Sequence, residues 1–549
     1  VSNRRQDLGA ALWQLGDLVR ADEQRRSFRA KAYRRAVWSL DDLSSDLDDP
    51  PHVMRAVRGI GPGIIRLIEE FRQTGRIGDL DRLSSLYPRD VARLRRLPRM
   101  TAETLRQLKA ELGVETGSDL IDAVGSGGDE TLRGVGPATA EKWERVLRLA
   151  PTAEATPAFD AQVLAGDLSR HLERHLSGEA FATGAVRRLD EWVDRIDLVW
   201  VTEDFDHARV FRTETAVARP VSVSNGPGPL CLATHGGVPV AVHLARLRER
   251  GLNLLVTTGP PSHAGFIVGE WHGEAQTETE LYQARGLGWV PPPARQLPLA
   301  SSLGVIRSSD LRGDLHVHTE WSPDGRMSLQ AMLAEAVARD YEYVLVTDHT
   351  TGLRFGGMDG NALIRQHETI EAARLRFPDL VILHGAELNA DREGNLDVDD
   401  ESLGILDLAV VGLHSHFDLD RDEQTARVLR ALGHPSVRVL AHPTGRRIGI
   451  RPAIDLDLDE VIAGAIEHDV ALEVNGHRDR LDLSAPLAAH AVRAGALLAL
   501  NSDAHRVGEL RNIDNAVGTG QKAGVGAGSV INTLPWSGLV EWLKRQPRT

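Results

Sequence analysis

A chain of 549 residues with 42% hydrophobic and 26% charged side chains is too long for one core and too apolar for global disorder, so three or four domains are expected. Residues 1–150 hold 26 Lys+Arg against 23 Asp+Glu, whereas the rest hold 38 against 55, so any DNA contact is expected to be local and chiefly in the N-terminal third of a chain whose net charge is -14. The single cysteine, Cys231, excludes an intrachain disulfide and a thiolate zinc site, and the lack of an 18-residue apolar run or a signal-peptide core predicts an intracellular protein with no membrane segment.

Residues 1–150 read as short amphipathic helices joined by tight turns. Ser27–Leu40 (SFRAKAYRRAVWSL) is a basic helix with Phe28, Ala32 and Arg35 on one side. RGIGPG (Arg58–Gly63) and RGVGPA (Arg133–Ala138) each place Gly-x-Gly-Pro between helical stretches, the pattern of a helix-hairpin-helix. Gly59, Gly61 and Gly63, and Gly134 and Gly136 in the second copy, let the backbone approach a phosphate met by amides of the following helix. Such a contact reads the sugar-phosphate backbone and not the bases, so the expected partner is DNA at ends, gaps or single strands. Leu97–Thr104 (LPRMTAET) has the helix pattern without the glycines and is read as structural. These features divide the region into 1–85 and 86–152.

A composition shift near 150–158 suggests a linker. Residues 153–300 then mix helices with strand-like runs, IDLVWV, VPVAVHLA and NLLVTT, before an extended connector, WVPPPARQLPLASS. From 305 to 549 short apolar runs alternate with helical stretches, the rhythm of a parallel β/α barrel. What ends each run is informative. GDLHVH ends in His316 and His318, YVLVTDHT in Asp348 and His349, VILHGAEL in Glu387, and LAVVGLHSH in His414 and His416. VRVLAHPT ends in His442, ALEVNG in Asn475, and ALLALNSDAH in Asp503 and His505. Barrel strand ends converge on one face, so these side chains are expected to meet. An imidazole and carboxylate set suits zinc, manganese or iron, and its size implies a cluster with a bridging carboxylate. His367, His434, His468, His477 and His490 fall outside the pattern and are read as ordinary histidines.

DLHVHTEWSPDG, VTDHT, HGAEL, GLHSH, AHPTGR and NSDAH resemble the successive motifs of the PHP (polymerase and histidinol phosphatase) superfamily. The resemblance implies a distorted seven-stranded barrel holding up to three divalent ions. His316, His318, Glu387 and Asp503 would hold the first. Glu387 would bridge to a second, bound also by His414 and His442, and Asp324, His349 and His505 would hold the third. This sequence departs from that pattern by a proline before Asp324 and by Asn389 where relatives carry an acid. Arg446 and Arg480 match positions that would clamp substrate phosphate, with Arg447, Arg451 and Arg478 as weaker candidates.

The earlier segments resemble X-family DNA polymerases. The basic helix and first hairpin look like the small N-terminal domain, but Leu67 stands where its lyase lysine would be, so no lyase is expected by that route. Gly184–Val201 looks like the nucleotide-binding strand-turn motif, Thr257–Ala264 like the sugar-selecting loop, and Glu280–Arg295 like the closing segment. The metal-binding Asp-x-Asp reads Arg195-Ile196-Asp197, the third carboxylate position is Ala241, and Ala185 replaces a serine, so polymerase activity is expected to be absent. Arg187 and Arg188 are candidate DNA contacts. The expected whole is a multidomain α/β protein with a helical helix-hairpin-helix region, a degenerate nucleotidyltransferase domain and a (β/α)7 PHP barrel. The activity expected is DNA-end processing by 3′-5′ exonuclease action in a cytoplasmic, nucleoid-associated repair enzyme. The alternatives are a phosphomonoesterase and a non-catalytic DNA-binding scaffold.

Overall fold

The computed structural model describes residues 4–23, 27–43, 47–128, 132–152, 155–206, 215–221, 228–353 and 356–545. They form two compact units, Val1–Leu287 and Gly288–Thr549.

In the first unit the Arg4–Asp22 helix buries Leu8, Leu12, Leu15 and Val19, the spacing of one helical face. The helices Pro62–Thr74 and Pro137–Leu147 each open on a proline, where a missing N–H costs nothing. Behind the helices lies a mixed five-stranded sheet of β1 (Glu179–Thr183), β2 (Ile196–Val201), β3 (Ala218–Pro220), β4 (Leu230–Thr234) and β5 (Pro239–Ala245), in the order β1-β2-β5-β4-β3. Strands β2 and β5 are parallel, with Asp197 opposite Ala241. One apolar cluster runs from Leu8 through Trp143 to Val242, so the helices on both sides of residue 85 and the sheet share a core. NLLVTT, expected as a strand, lies in the helix Arg250–Thr258. Its run is too short for period alone to tell the two apart, and Leu255 and Thr258 are buried at helical spacing.

In the second unit seven parallel strands follow one another around a sheet: β6 (Gly313–Val317), β7 (Tyr343–Val346), β8 (Val381–Asn389), β9 (Leu408–Gly412), β10 (Val437–Leu440), β11 (Ala471–Asn475) and β12 (Leu498–Asn501). A parallel bridge between Val317 and Ala504 brings the two edges together in a nearly closed barrel. The strands are buried almost throughout, as expected where helices cover a parallel sheet. Tyr343, Leu383, Val410, Ala471 and Ala499 cluster with Leu539 and Trp542 of the C-terminal helix Trp536–Leu543. This helix closes the N-terminal ends of the strands: Arg438 donates to the carbonyls of Trp542 (2.7 Å) and Leu543 (3.2 Å), and Tyr343 to that of Leu534 (2.9 Å). WVPPPARQLPLASS is no extended connector. It folds as the turn Pro292–Gln296 and the short helix Leu299–Ser302, and it belongs to this unit.

Candidate metal centre

Two to four residues beyond each inward apolar position, the same face of a strand reaches the opposite end of the barrel and turns polar. Leu383 leads to Glu387, Ala471 to Glu473 and Asn475, and Ala499 to Asp503. Glu387 is the hub. Its Oε1 lies 3.0 Å from His414 Nε2 and 2.8 Å from His442 Nε2. Its Oε2 lies 3.2 Å from His316 Nε2, 3.4 Å from His318 Nε2 and 3.1 Å from His349 Nδ1. Asp503 Oδ1 joins from the other side, 3.6 Å from His316 and 3.3 Å from His318. Asp324 Oδ2 stands 3.2 Å from His505 Nε2 and 3.7 Å from His349 Nε2, so the proline before it does not keep it from the cluster. All nine expected donors therefore meet at one mouth, although they span 190 positions of the sequence.

Three subsets bring their donor atoms within 4.8 Å of one another: His316, His318 and Asp503; His318, His349 and His505; His349, Glu387 and His414. His349 faces Glu387 with one nitrogen and Asp324 with the other, so it belongs to two groups rather than to the third alone. His316 Nε2 and His318 Nε2 are 3.0 Å apart. His349 Nδ1, both nitrogens of His414 and His442 Nδ1 are buried and find no hydrogen-bond partner. Imidazole lone pairs directed at each other and at a shared carboxylate fit cations placed among them.

The electrostatics divide the imidazoles. Burial lowers all of them, but neighbouring carboxylates overcome it at His316 and His349, which are raised, and at His505, raised to about 9, so these three would give up a proton on taking a cation. Burial, with His505 and His349 alongside, pulls His318 down to about 3, and burial beside Arg480 pulls His442 to about 4, so both stay neutral as metal ligands must. Burial alone would raise Glu387 and Asp503, but the surrounding imidazoles hold both well below the carboxylate range.

Glu473 is a residue that sequence reasoning missed. Fully buried, it accepts from His316 Nδ1 (2.7 Å), the His442 amide (2.7 Å), Asn475 Nδ2 (3.0 Å) and Asn501 Nδ2 (2.9 Å). The signal was an acid in the middle of an apolar strand, ALEVN. Asn475 also donates to Asp503 (3.0 Å), and Asn389 accepts from the His414 amide (3.1 Å), a role that needs no acid. Asp348 braces the first loop through Thr319, Ser322 and Gln366, and Ser322 Oγ lies 3.1 Å from His318 Nδ1.

The two phosphate candidates differ. Arg480 Nε lies 3.5 Å from Asp503, and its Nη1 is buried without an acceptor beside the cluster. Arg446 is spent on the carbonyls of Arg480 (3.1 Å) and Leu481. In the first unit Arg187 forks onto Glu278 (2.8 Å twice) and Thr258, and Arg188 pairs with Asp190 and the Thr258 carbonyl. Both guanidinium groups are engaged within the unit while staying partly exposed. Asp197 is engaged by Arg195 (2.8 Å) and His243 (3.2 Å), with Ala241 across the ladder. At the hairpins Gly59 (φ +104°) is packed on Ser39, whereas a Cβ at Gly61, Gly63, Gly134 or Gly136 would meet open space. The helices starting after Gly61 and Gly136 have no side-chain cap. Pro62 and Pro137 bring no N–H, and the Ile64 and Thr139 amides turn back to the Gly61 (2.9 Å) and Gly136 (2.8 Å) carbonyls, which leaves Gly63 and Ala138 as the first-turn amides not taken by a cap.

Comparisons with known proteins agree with this anatomy. A helix-hairpin-helix domain model matches residues 3–77 and a PHP domain model residues 314–445. The DNA polymerase/3′-5′ exonuclease PolX of Bacillus subtilis (strain 168) is 28% identical, over 94% of this chain and 95% of that protein. A probable phosphatase of Edwardsiella ictaluri (strain 93-146) is 27% identical over 43% of this chain and 95% of its own length. Among solved structures, the histidinol phosphate phosphatase of Lactococcus lactis subsp. lactis Il1403, complexed with zinc, L-histidinol and phosphate, matches 39% of this chain and 94% of that one. Its identity is 17% and its TM-score 0.30, too low to carry an argument.

Proposed function

We propose that this chain, which carries a helix-hairpin-helix and a PHP domain and is 28% identical over 94% of its length to a DNA polymerase/3′-5′ exonuclease PolX, is a metal-dependent phosphodiesterase trimming DNA ends, a 3′-5′ exonuclease without polymerase activity. The observation that carries the reading is the gathering of nine donor side chains with Glu387 as their hub, in a chain that also presents two hairpins with open glycine backbones. Divalent cations held by these donors, with manganese or zinc favoured by the resemblance, would supply Lewis acidity and a nucleophile from water. The protein's own part is positional. The two Glu387 oxygens face different imidazoles, which sets the spacing of whatever they share. Arg480, half-buried and with its Nη1 short of an acceptor among the described residues, donates to a phosphoryl oxygen and offsets the charge that develops there. The hairpin amides hold the strand by its backbone.

The absence of polymerase chemistry is supported by Arg195 and Ala241, which leave one carboxylate where three are needed, and that one is neutralised by Arg195. The sheet is then a scaffold. Primer extension with dNTPs and either Mg²⁺ or Mn²⁺ is expected to give no product, and any extension overturns this part.

The relative named a probable phosphatase matches 43% of this chain over 95% of its own length and favours a second reading, a phosphomonoesterase such as a 3′-phosphatase. Incubation of metal-loaded protein with 3′-end-labelled single-stranded and gapped DNA separates the readings. Mononucleotide release supports the exonuclease, inorganic phosphate the phosphatase, and a mobility shift without cleavage a scaffold.

A further inference from the structure

Two loops at the barrel mouth run past the donors His414 and His442 and meet at Phe417 and Arg451. The Arg451 guanidinium stands 3.7 Å over the centroid of the Phe417 ring, the separation of a stacked pair. Gly445, left-handed at φ +58°, lies against the same ring, where a Cβ would meet Phe417 Cε1 at 3.4 Å. Phe417 packs on the barrel core and keeps part of its surface exposed. Both halves of the pair are held in place. Arg451 Nε donates to the Gly445 carbonyl (2.8 Å), and the main chains of Arg447 and Arg451 exchange two hydrogen bonds of 2.8 Å. On the other loop, buried Gln424 and Arg427 donate to the carbonyls of His416 (2.5 Å) and Ser415 (2.9 Å). His416 itself is exposed and left-handed at φ +54°, a conformation that a residue with a side chain keeps only where its surroundings impose it.

The surroundings of the pair are cationic. Asp479 is taken by Arg447 and His477 (2.6 Å). Burial, with Arg480 and Arg447 alongside, lowers Arg451 to about 10. A phosphoryl group is served by the metal donors and Arg480, and it has no use for an aromatic face. A nucleobase has one, because bases stack on aromatic rings and guanidinium planes whatever their identity. Phe417 follows His414 by three residues and Gly445 follows His442 by three, so the pair lies within roughly 10 Å of chain from both donors, a gap that one nucleotide spans.

We propose that Phe417 and Arg451 form a subsite for the base of the nucleotide whose phosphate sits at the metal donors, so that the mouth selects ends that still carry a base. This rests on the reading of the barrel as a DNA phosphoesterase, and the test keeps the two apart. Full-length, metal-loaded protein is titrated calorimetrically with deoxyadenosine 5′-monophosphate and with 2-deoxyribose 5-phosphate, and the part of the binding lost on chelation is compared. The nucleotide is expected to bind roughly 10-fold tighter, the worth of one stacked base. Phe417→Leu, which keeps an apolar side chain but no ring, is expected to bring the two affinities together by weakening the nucleotide alone. Arg451→Lys, which keeps the charge but not the plane, is expected to narrow the gap, and Phe417→Trp to keep or widen it. The subsite is overturned by equal affinities or no metal-dependent binding in the unaltered protein, by a gap that survives both Phe417→Leu and Arg451→Lys, or by an equal loss of both ligands in Phe417→Leu. Mononucleotide release from labelled DNA is followed in parallel. Release without a base preference removes the subsite and leaves the exonuclease reading in place; a base preference without release removes the exonuclease reading and keeps the subsite.

Discussion

Buried carboxylates do different work at this site according to what surrounds them. Glu387 and Asp503 face imidazole nitrogens and are the anionic partners of any bound cation, whereas Glu473 faces N–H donors and fixes the donors themselves. By accepting from His316 Nδ1, Glu473 leaves Nε2 as the lone-pair nitrogen turned toward the cluster. Glu473→Gln replaces one acceptor by an amide group facing the donors of His442 and Asn475, and metal affinity is expected to fall roughly 10- to 100-fold, read by competition with a chromophoric chelator. Unchanged affinity would show that the contact only fills space. His349→Ala or Asp503→Ala is expected to abolish hydrolysis while leaving DNA affinity intact, and full activity in either variant removes that residue from the site. At this scale the sequence was readable where chemistry sits at a strand end, because the barrel brings strand ends together. It marked Glu473, one step inside, only as an acid within an apolar strand, and it was silent on the direction of Arg187 and Arg446, since which way a guanidinium turns depends on carboxylates and carbonyls distant in the chain.

Turns and helix ends carry the DNA reading, and two predictions belong to them. Gly61 and Gly136 replaced by bulky residues are expected to weaken DNA binding and spare cleavage of a small chromogenic phosphodiester, because each added side chain projects into open space and not into the fold. Loss of the small substrate as well would mean that the variants act through folding. The second concerns Asp41, whose nearly buried carboxylate accepts from His171 Nε2 (2.8 Å), Thr215 Oγ1 (2.7 Å) and the Ala216 amide (2.8 Å), tying the helical region to the sheet. Burial pushes this group up, but its donors outweigh burial and hold it below its ordinary value of 3.8. A carboxyl lowered by folding stabilises the native state above its unfolded value and loses that contribution as pH falls through the folded one. Asp41→Asn is therefore expected to cost about 3 kcal/mol at neutral pH and to flatten the acid limb of the stability curve, measured by urea unfolding between pH 7 and pH 3. An unchanged acid limb contradicts the assignment. Elements were legible where period and caps agreed, as in the seven barrel strands and both proline-started helices, and illegible in NLLVTT, a run that packs equally well in either geometry.

Two separately packed units imply two separately tunable stabilities. Cations bound only by the native barrel would stabilise that unit by about 2.7 kcal/mol per site at a hundredfold excess over the dissociation constant. Chelation is accordingly expected to lower one calorimetric transition and leave the other in place. A uniform downward shift of both would place the ions elsewhere. The assignment of donors to strands also sets an order of events during manufacture. His316 stands on the first barrel strand and His505 just past the last, so the pocket stays unfinished while the intervening stretch is being translated. Two of the three donor groups draw on Asp503 or His505 and stay incomplete until the stretch past the last strand has been made, whereas His349, Glu387 and His414 can gather before it.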